Sequence, residues 1–255
     1  MSDHADAVQA QFDPQAAAYL SSRVHAEGPD LKRAAELVAA AIPADKGKAL
    51  DVGCGAGHLA YALAPHLSRT VAADPSPAML ATVADAARKR WLNIETRQAR
   101  ADALPFADGE FCVAASRYSA HHWQGLEAAV AEMRRVVKTG GYLLMIDVLG
   151  HEDDLVDTHM QAIELLRDRS HRRNLKGSQW RRVIAASGFD MIEEESWPLP
   201  MAFEPWVARM RTPALRVEAI RAVLDEAPAE VRDALEVQPD YAFAFRTGLF
   251  WAKAV

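Results

Sequence analysis

Cysteine is scarce in this chain of 255 residues, with only Cys54 and Cys112. Both fall at the ends of expected strands, so no disulfide framework is expected and a reducing compartment fits. Long apolar runs are missing too, and none approaches the ~20 residues that span a bilayer. The opening Met1-Ser-Asp-His-Ala-Asp6 is polar and acidic, unlike a signal peptide, which makes the cytoplasm the expected location. Positive charge is not in excess. A formal net charge of −6 gives no field drawing the chain to nucleic acid, so none is expected as a partner. No histidine–cysteine cluster has metal-ligand spacing, and no metal is expected. There are no repeats and no low-complexity tract beyond alanine richness. Half the residues are apolar, at 50%, enough for a full core, and the length suits one α/β domain with elaborations.

The most informative stretch is Ala49-Leu-Asp51-Val-Gly53-Cys-Gly55-Ala-Gly57, followed by Val71-Ala-Ala-Asp74. A short apolar run breaks into three alternating glycines and turns helical near His58. The next apolar run closes on a carboxylate. This pattern reads as strand–tight loop–helix–strand, a unit that holds a nucleoside. Glycine allows a sharp turn and a close approach to a ligand. The helix behind it aims free N–H groups at the turn, and an acid ending the second strand can take both ribose hydroxyls. Gly55-Ala-Gly57-His-Leu-Ala60 also satisfies the looser G-x-G-x-x-A dinucleotide fingerprint, which leaves a nicotinamide-dependent oxidoreductase as the alternative. Against that reading, the chain has no Tyr-x-x-x-Lys pair.

Three further stations follow. Ala101-Asp102-Ala103-Leu-Pro-Phe106 comes just after a third apolar run. Ser116-Arg117-Tyr-Ser-Ala-His121-His122-Trp123 ends a fourth. Val137-Lys-Thr-Gly-Gly141 leads into the strand Tyr142 to Asp147. With Leu-Asp-Val-Gly-Cys-Gly-Ala-Gly and Asp74-Pro-Ser76-Pro-Ala-Met79, these motifs cover residues 48 to 148 in order. On them the chain resembles the class I S-adenosylmethionine-dependent methyltransferases, of the group related to ubiquinone/menaquinone C-methyltransferases. The His-His-Trp arrangement and the Met210-Arg-Thr-Pro213 segment are also similar to bacterial proteins classed only as predicted methyltransferases.

The resemblance implies an α/β fold, a Rossmann-like seven-stranded and mostly parallel sheet with helices on both faces and an antiparallel last strand. It implies S-adenosyl-L-methionine as methyl donor, S-adenosyl-L-homocysteine as product, and a small-molecule acceptor. Gly53, Gly55, Gly57, Asp51, Asp74, Ser76, Met79, Asp102, Ala103 and Ser116 become candidate cofactor residues, with Tyr19 from an N-terminal lid. Asp51 would lie near the methionine amino group or order the loop, Asp74 would hold the ribose, and Asp102 would read the adenine amino group. His121 and His122 follow strand four, where a histidine can deprotonate an acceptor near neutral pH; alternatively, one packs and the other caps a helix. Trp123 or Tyr19 can face the cationic sulfonium.

Arg117, Trp123, His25, Arg167, His171 and Arg209 are candidates for acceptor binding. The density of Arg167, Arg169, His171, Arg172, Arg173 and Lys176 suggests an anionic acceptor, an aromatic one also being open, and a solvated face is the competing reading. A non-catalytic protein of the same fold is a further alternative.

Residues 1–45 are expected to form an N-terminal helical lid and 46–150 the cofactor-binding core. Residues 151–255 would complete the same domain with helical insertions near 153–173 and 203–236, above the carboxyl ends of the strands. The first insertion reads as a helix from Asp153 to Arg173. The second reads as two helices. The sixth strand is expected over Phe189 to Glu195.

Overall fold

The computed structural model describes residues 28–45 and 47–255. Tyr19, His25 and most of the expected N-terminal lid lie outside those residues. Seven strands form one sheet in the order β3-β2-β1-β4-β5-β7-β6. They are β1 (Lys48–Val52), β2 (Arg69–Asp74), β3 (Ile94–Gln98), β4 (Phe111–Arg117), β5 (Val137–Leu149), β6 (Phe189–Met201) and β7 (Phe243–Ala254). The first five run parallel, with Leu50 of β1 paired to Val71 of β2 on one side and Ala114 of β4 on the other. As expected, the last strand is antiparallel; it slots between β5 and β6. Strand order reverses between β1 and β4, and in open parallel sheets the crevice beyond such a reversal is where ligands bind.

Both faces of the sheet are covered. On one, α1 (Pro29–Ala41) and α2 (His58–Leu63) lay Leu31, Ala34, Val38, Leu59 and Leu63 over Ala49, Val113 and Leu144. The α1 residues recur at helical spacing, which gives the helix a single apolar stripe. On the other, α4 (Leu126–Val136) and α6 (Gly177–Ala186) bring Leu126, Val130, Met133, Trp180 and Ile184 onto Leu50, Ala114 and Leu143. The remaining core helix, α3 (Pro77–Lys89), starts at Ser76, whose Oγ accepts the Met79 N–H at 3.1 Å, and has Pro77 in its first turn.

The insertions have a core of their own. α5 (Asp154–Arg167), α7 (Phe203–Arg209), α8 (Ala214–Asp225) and α9 (Ala229–Ala234) pack Met160, Ile163, Trp206, Ile220, Leu224 and Val231 against Phe243 and Phe245 of β7. Four elements differ from expectation. β5 runs over Val137–Leu149, longer at both ends than the expected Tyr142 to Asp147. α5 stops at Arg167 rather than Arg173, because Asp168 turns its carboxylate onto the Ser170 N–H and hydroxyl at 2.8 and 2.6 Å, a local bond that competes with the helix. The second insertion holds three helices instead of two, since Pro213 and Pro228 each begin a new one. β6 continues past Glu195 through Pro198 and Pro200; it is an edge strand, so the missing N–H groups cost no ladder bond on its free side. No helix among the described residues is long and apolar enough to cross a membrane.

Candidate active site

A cavity of about 540 Å³ opens over the carboxyl ends of β1 and β4, a size usual for small-molecule sites. The glycine loop forms one end. Gly53 and Gly55 have φ of +67° and +49°, a left-handed backbone that other residues adopt at a cost. A Cβ on Gly53 would press on Ser119, coming within 2.8 Å of its Cβ. A Cβ on Gly55 would meet no atom of the described residues within 4 Å and would fill open space. Gly57 faces away from the cavity, and a Cβ there would come within 2.9 Å of Tyr61 and Val83.

Two carboxylates organise this end. Asp74 closes β2 and accepts the Gly55 N–H and the Ser76 N–H, both at 2.9 Å, tying the glycine loop to the start of α3. Asp51 is buried on β1, and its Oδ2 accepts the Ala60 N–H at 3.0 Å. Its Oδ1 has no hydrogen-bond partner among the described residues. Burial, aided by the Asp74 charge, raises the Asp51 carboxyl to about 7, against the Ala60 hydrogen bond and Arg117. An orphaned buried oxygen is costly unless something pairs with it. Met79 lines the wall here with Asp102, whose two oxygens take the Arg100 guanidinium at 2.9 and 2.7 Å. That pair holds the Asp102 carboxyl below its ordinary range.

The other end grows from β4 and β5. β4 runs into Tyr118, a bulky residue at φ +51°, whose hydroxyl pairs with Thr247 at 2.7 Å. Arg117 is buried, with Nε donating to Asp30 of α1 and the guanidinium 4.4 Å from the Tyr118 ring centre. The next residues, Ala120–His122, make one tight helical turn. His121 Nδ1 lies 2.6 Å from Asp147 Oδ1, and its backbone N–H donates to Asp147 Oδ2 at 3.1 Å. His122 Nδ1 lies 3.1 Å from the Ser170 carbonyl. The His121 carbonyl accepts the Arg172 N–H at 2.9 Å, lacing the loop after α5 to this turn.

The paired histidines diverge electrostatically. Burial lowers both, but Asp147, with Glu164 and Asp168 beyond it, leaves His121 raised above an ordinary imidazole. Burial and the neighbouring His121 push His122 down to about 4. Around them, the Trp123 indole N–H donates to Ser119 Oγ at 3.1 Å. Arg167 donates to the Trp206 carbonyl at 3.0 Å, pairs with Glu164 at 3.3 Å, and lies 4.8 Å from the Trp206 ring centre.

The cavity wall therefore collects Asp51, Gly53, Gly55, Asp74, Ser76, Met79, Asp102, Arg117, His121, His122, Trp123, Arg167 and Arg209 of the expected residues. Four others stand back from it. Ser116 Oγ donates to the Val52 carbonyl at 2.7 Å, stapling β4 to β1. Ala103 donates its N–H to the Arg100 carbonyl at 3.2 Å, and Gly57 packs α2. His171 lies behind His121 with ring centres 5.9 Å apart, its Nε2 bonded to Gln161 at 2.9 Å. Burial and the surrounding cationic groups lower it strongly. In the basic run, Arg173 pairs with Asp157 and Lys176 with Asp154, while Arg167 joins the wall. Tyr118, Ser119, Glu164, Asp168 and Trp206 line the cavity without having been expected there, and Asp147 supports it from behind. Only Asp147 carried a sequence signal, an acid at the end of the expected strand Tyr142 to Asp147, although β5 runs on to Leu149.

Residues 50–145 match the family described as a methyltransferase domain. The uncharacterized protein YafE of Escherichia coli is 42% identical over 192 residues, spanning 75% of this chain and 93% of YafE. YcgJ of Bacillus subtilis, named an uncharacterized methyltransferase, is 32% identical over 223 residues, 87% of each protein. The crystal structure of YcgJ superposes with a TM-score of 0.82 at 29% identity, covering 88% of this chain and 98% of that one. The ubiquinone/menaquinone biosynthesis C-methyltransferase UbiE of Sinorhizobium fredii is 33% identical over 120 residues, 45% of this chain and 46% of UbiE. The glycine loop and the acid closing β2 agree with the match to YcgJ over 87% of each protein, and the chain belongs to the S-adenosylmethionine-dependent methyltransferases.

Proposed function

We propose that the protein moves a methyl group from S-adenosyl-L-methionine to a small-molecule acceptor by in-line displacement at a carbon, oxygen or nitrogen nucleophile. The observation that carries this reading is a single cavity with an orphaned Asp51 oxygen and open space at Gly55 at one end, and two histidines at the other. Asp51 Oδ1 would take the methionine ammonium, and Gly55 would leave room for the ligand to touch the backbone. Asp74 lines the cavity where β2 ends and anchors the Gly55 and Ser76 N–H groups, and it would take the ribose hydroxyls there. Met79 would pack on adenine, and Asp102 would share its oxygens between Arg100 and the adenine amino group.

When bound, the sulfonium supplies an already activated methyl group. The protein's task is then to align the acceptor and exclude water, and such positioning is worth roughly 7–11 kcal/mol. Trp206, Met201, Leu199 and Val148 offer an apolar surface to an acceptor body, aromatic rings included. Arg209 and Arg167 would orient a polar or anionic group on it, with Arg167 shared by Glu164. Calorimetric titration with S-adenosyl-L-homocysteine, and with NADH and NADPH in parallel, tests the reading. Micromolar binding of the thioether alone is expected. Binding of a nicotinamide in its place would overturn it.

A further inference from the structure

Asp147 is the residue at the histidine end for which methyl transfer has so far given no task, yet few side chains here are held so firmly. It is buried, and its carboxylate accepts three donors: His121 Nδ1 at 2.6 Å, the His121 backbone N–H at 3.1 Å and the Val148 N–H at 2.8 Å. A carboxylate cannot donate, so the proton between them sits on Nδ1 and the lone pair of the neutral ring is on Nε2. Nε2 makes no hydrogen bond to any described residue and is not sealed from the cavity that His121 lines. The ring is held further by its neighbours, His122 at 4.2 Å and His171 at 5.9 Å between centres, and its carbonyl is fixed by Arg172.

We propose that Asp147 is a positioning residue: gripping His121 at ring and backbone, it fixes the tautomer and turns Nε2 toward the acceptor, so that His121, and not His122, takes the proton from an acceptor hydroxyl, amine or acidic C–H. This rests on the methyl-transfer reading and deepens it. As the acceptor's electron pair forms the new bond to the methyl carbon, its proton passes to Nε2, and the carbon–sulfur pair stays on sulfur as the neutral thioether. The imidazolium that results faces the Asp147 carboxylate, then gives its proton to water as product leaves. Charge around it is set by Asp147 on β5, by Glu164 and Arg167 on α5, by Asp168 and His171 on the following loop, and by His122 on its own turn. Carboxylates dominate near His121. His122 is turned to a carbonyl and carries the cost of its neighbour's charge, which suits a packing role.

The test is nitrogen-15 NMR of the imidazoles in the full chain without ligand, His121 being assigned by the loss of its signals in His121→Gln. The neutral ring is expected to carry its proton on Nδ1, and Asp147→Asn is expected to lower the His121 titration midpoint by at least about one pH unit, the usual effect of removing an adjacent opposite charge. A proton on Nε2 in the wild-type ring, or an unmoved midpoint in a folded Asp147→Asn protein, would overturn the proposal. Should Asp147→Asn fail to fold, the wild-type tautomer alone decides. Titration with S-adenosyl-L-homocysteine stays separate: normal binding with the wrong tautomer removes Asp147's role and leaves methyl transfer standing. No binding with the right tautomer removes the methyl transfer that His121 would serve and leaves only the grip of Asp147 on the His121 ring.

Discussion

At the glycine end of the cavity, residues 51 to 79 meet within one short run of chain, from β1 through α2 and β2 to the start of α3, and the fixing bonds run from backbone N–H groups to Asp51 and Asp74. At the histidine end, the wall is assembled from the ends of β4 and β5, the loop after α5, the end of β6 and α7, drawn from positions 117 to 210. There the bonds join side chains to one another: His121 to Asp147, Arg167 to Glu164, Arg117 to Asp30. The first end is shaped by backbone conformation and keeps one carboxylate oxygen unmatched. The second has its charges paired in advance. A site that receives one fixed ligand can be built from local backbone, whereas acceptor choice is written in side chains that long connections bring together.

Substitution at Gly53 should strike the first end hardest. Gly53→Val forces a β-branched residue to φ +67° and drives its side chain into Ser119. Left-handed strain and overpacking together should cost about 3–5 kcal/mol of stability and abolish measurable binding of S-adenosyl-L-homocysteine. Thermal denaturation and calorimetry check both, and a normal melting temperature with normal affinity would mean that the loop is not held as described.

Asp51 should show its state through pH. Its carboxyl stands at about 7 in the fold against 3.8 as the reference. Folding therefore favours the protonated form, so this contribution is whole below about 3.8 and is lost as pH rises through 7. Between pH 5 and 8 the ligand-free protein should lose about 2–3 kcal/mol from this group, and Asp51→Asn should remove the decline. Added S-adenosyl-L-homocysteine, whose ammonium would pair with Asp51, should flatten it as well. Parallel slopes in the wild type and Asp51→Asn would show that Asp51 is not the source.

Asp74→Ala is expected to weaken S-adenosyl-L-homocysteine at least about tenfold, or 1.4 kcal/mol, since it removes a ribose acceptor and the clamp between Gly55 and Ser76. Unchanged affinity would deny it the ribose.

The same contrast explains how much could be read in advance. The third apolar run forms β3, and the glycine loop, Asp51, Asp74 and Met79 meet where a local motif puts them, because a tight turn specifies its own neighbours. The basic run after Arg167 read as one charged surface. In the fold Arg173 and Lys176 are taken by Asp157 and Asp154, ion pairs that depend on how α5 meets its following loop. Asp168 ended that helix through a bond to Ser170 that no periodicity encodes. Ser116, at a strand end beneath the cavity, spent its hydroxyl on the neighbouring strand. Asp147 was visible as a residue, but its partner lies 26 positions earlier and only the pairing of β4 with β5 brings them together.

The two ends touch at Ser119. Its side chain blocks the space over Gly53, and its Oγ accepts the Trp123 indole N–H at 3.1 Å. Trp123→Phe keeps most of the ring and removes that donor. Oγ can rotate to another partner at the cavity surface, so the cost should be that of one net hydrogen bond, about 1 kcal/mol in stability. If the ends are built independently, S-adenosyl-L-homocysteine affinity should change by less than about twofold, because the Gly53 turn keeps its bonds to Ala73. A tenfold loss of affinity would show instead that the indole holds the glycine loop through Ser119. The acceptor wall would then set the shape of the cofactor turn, and the division between the two ends would fall.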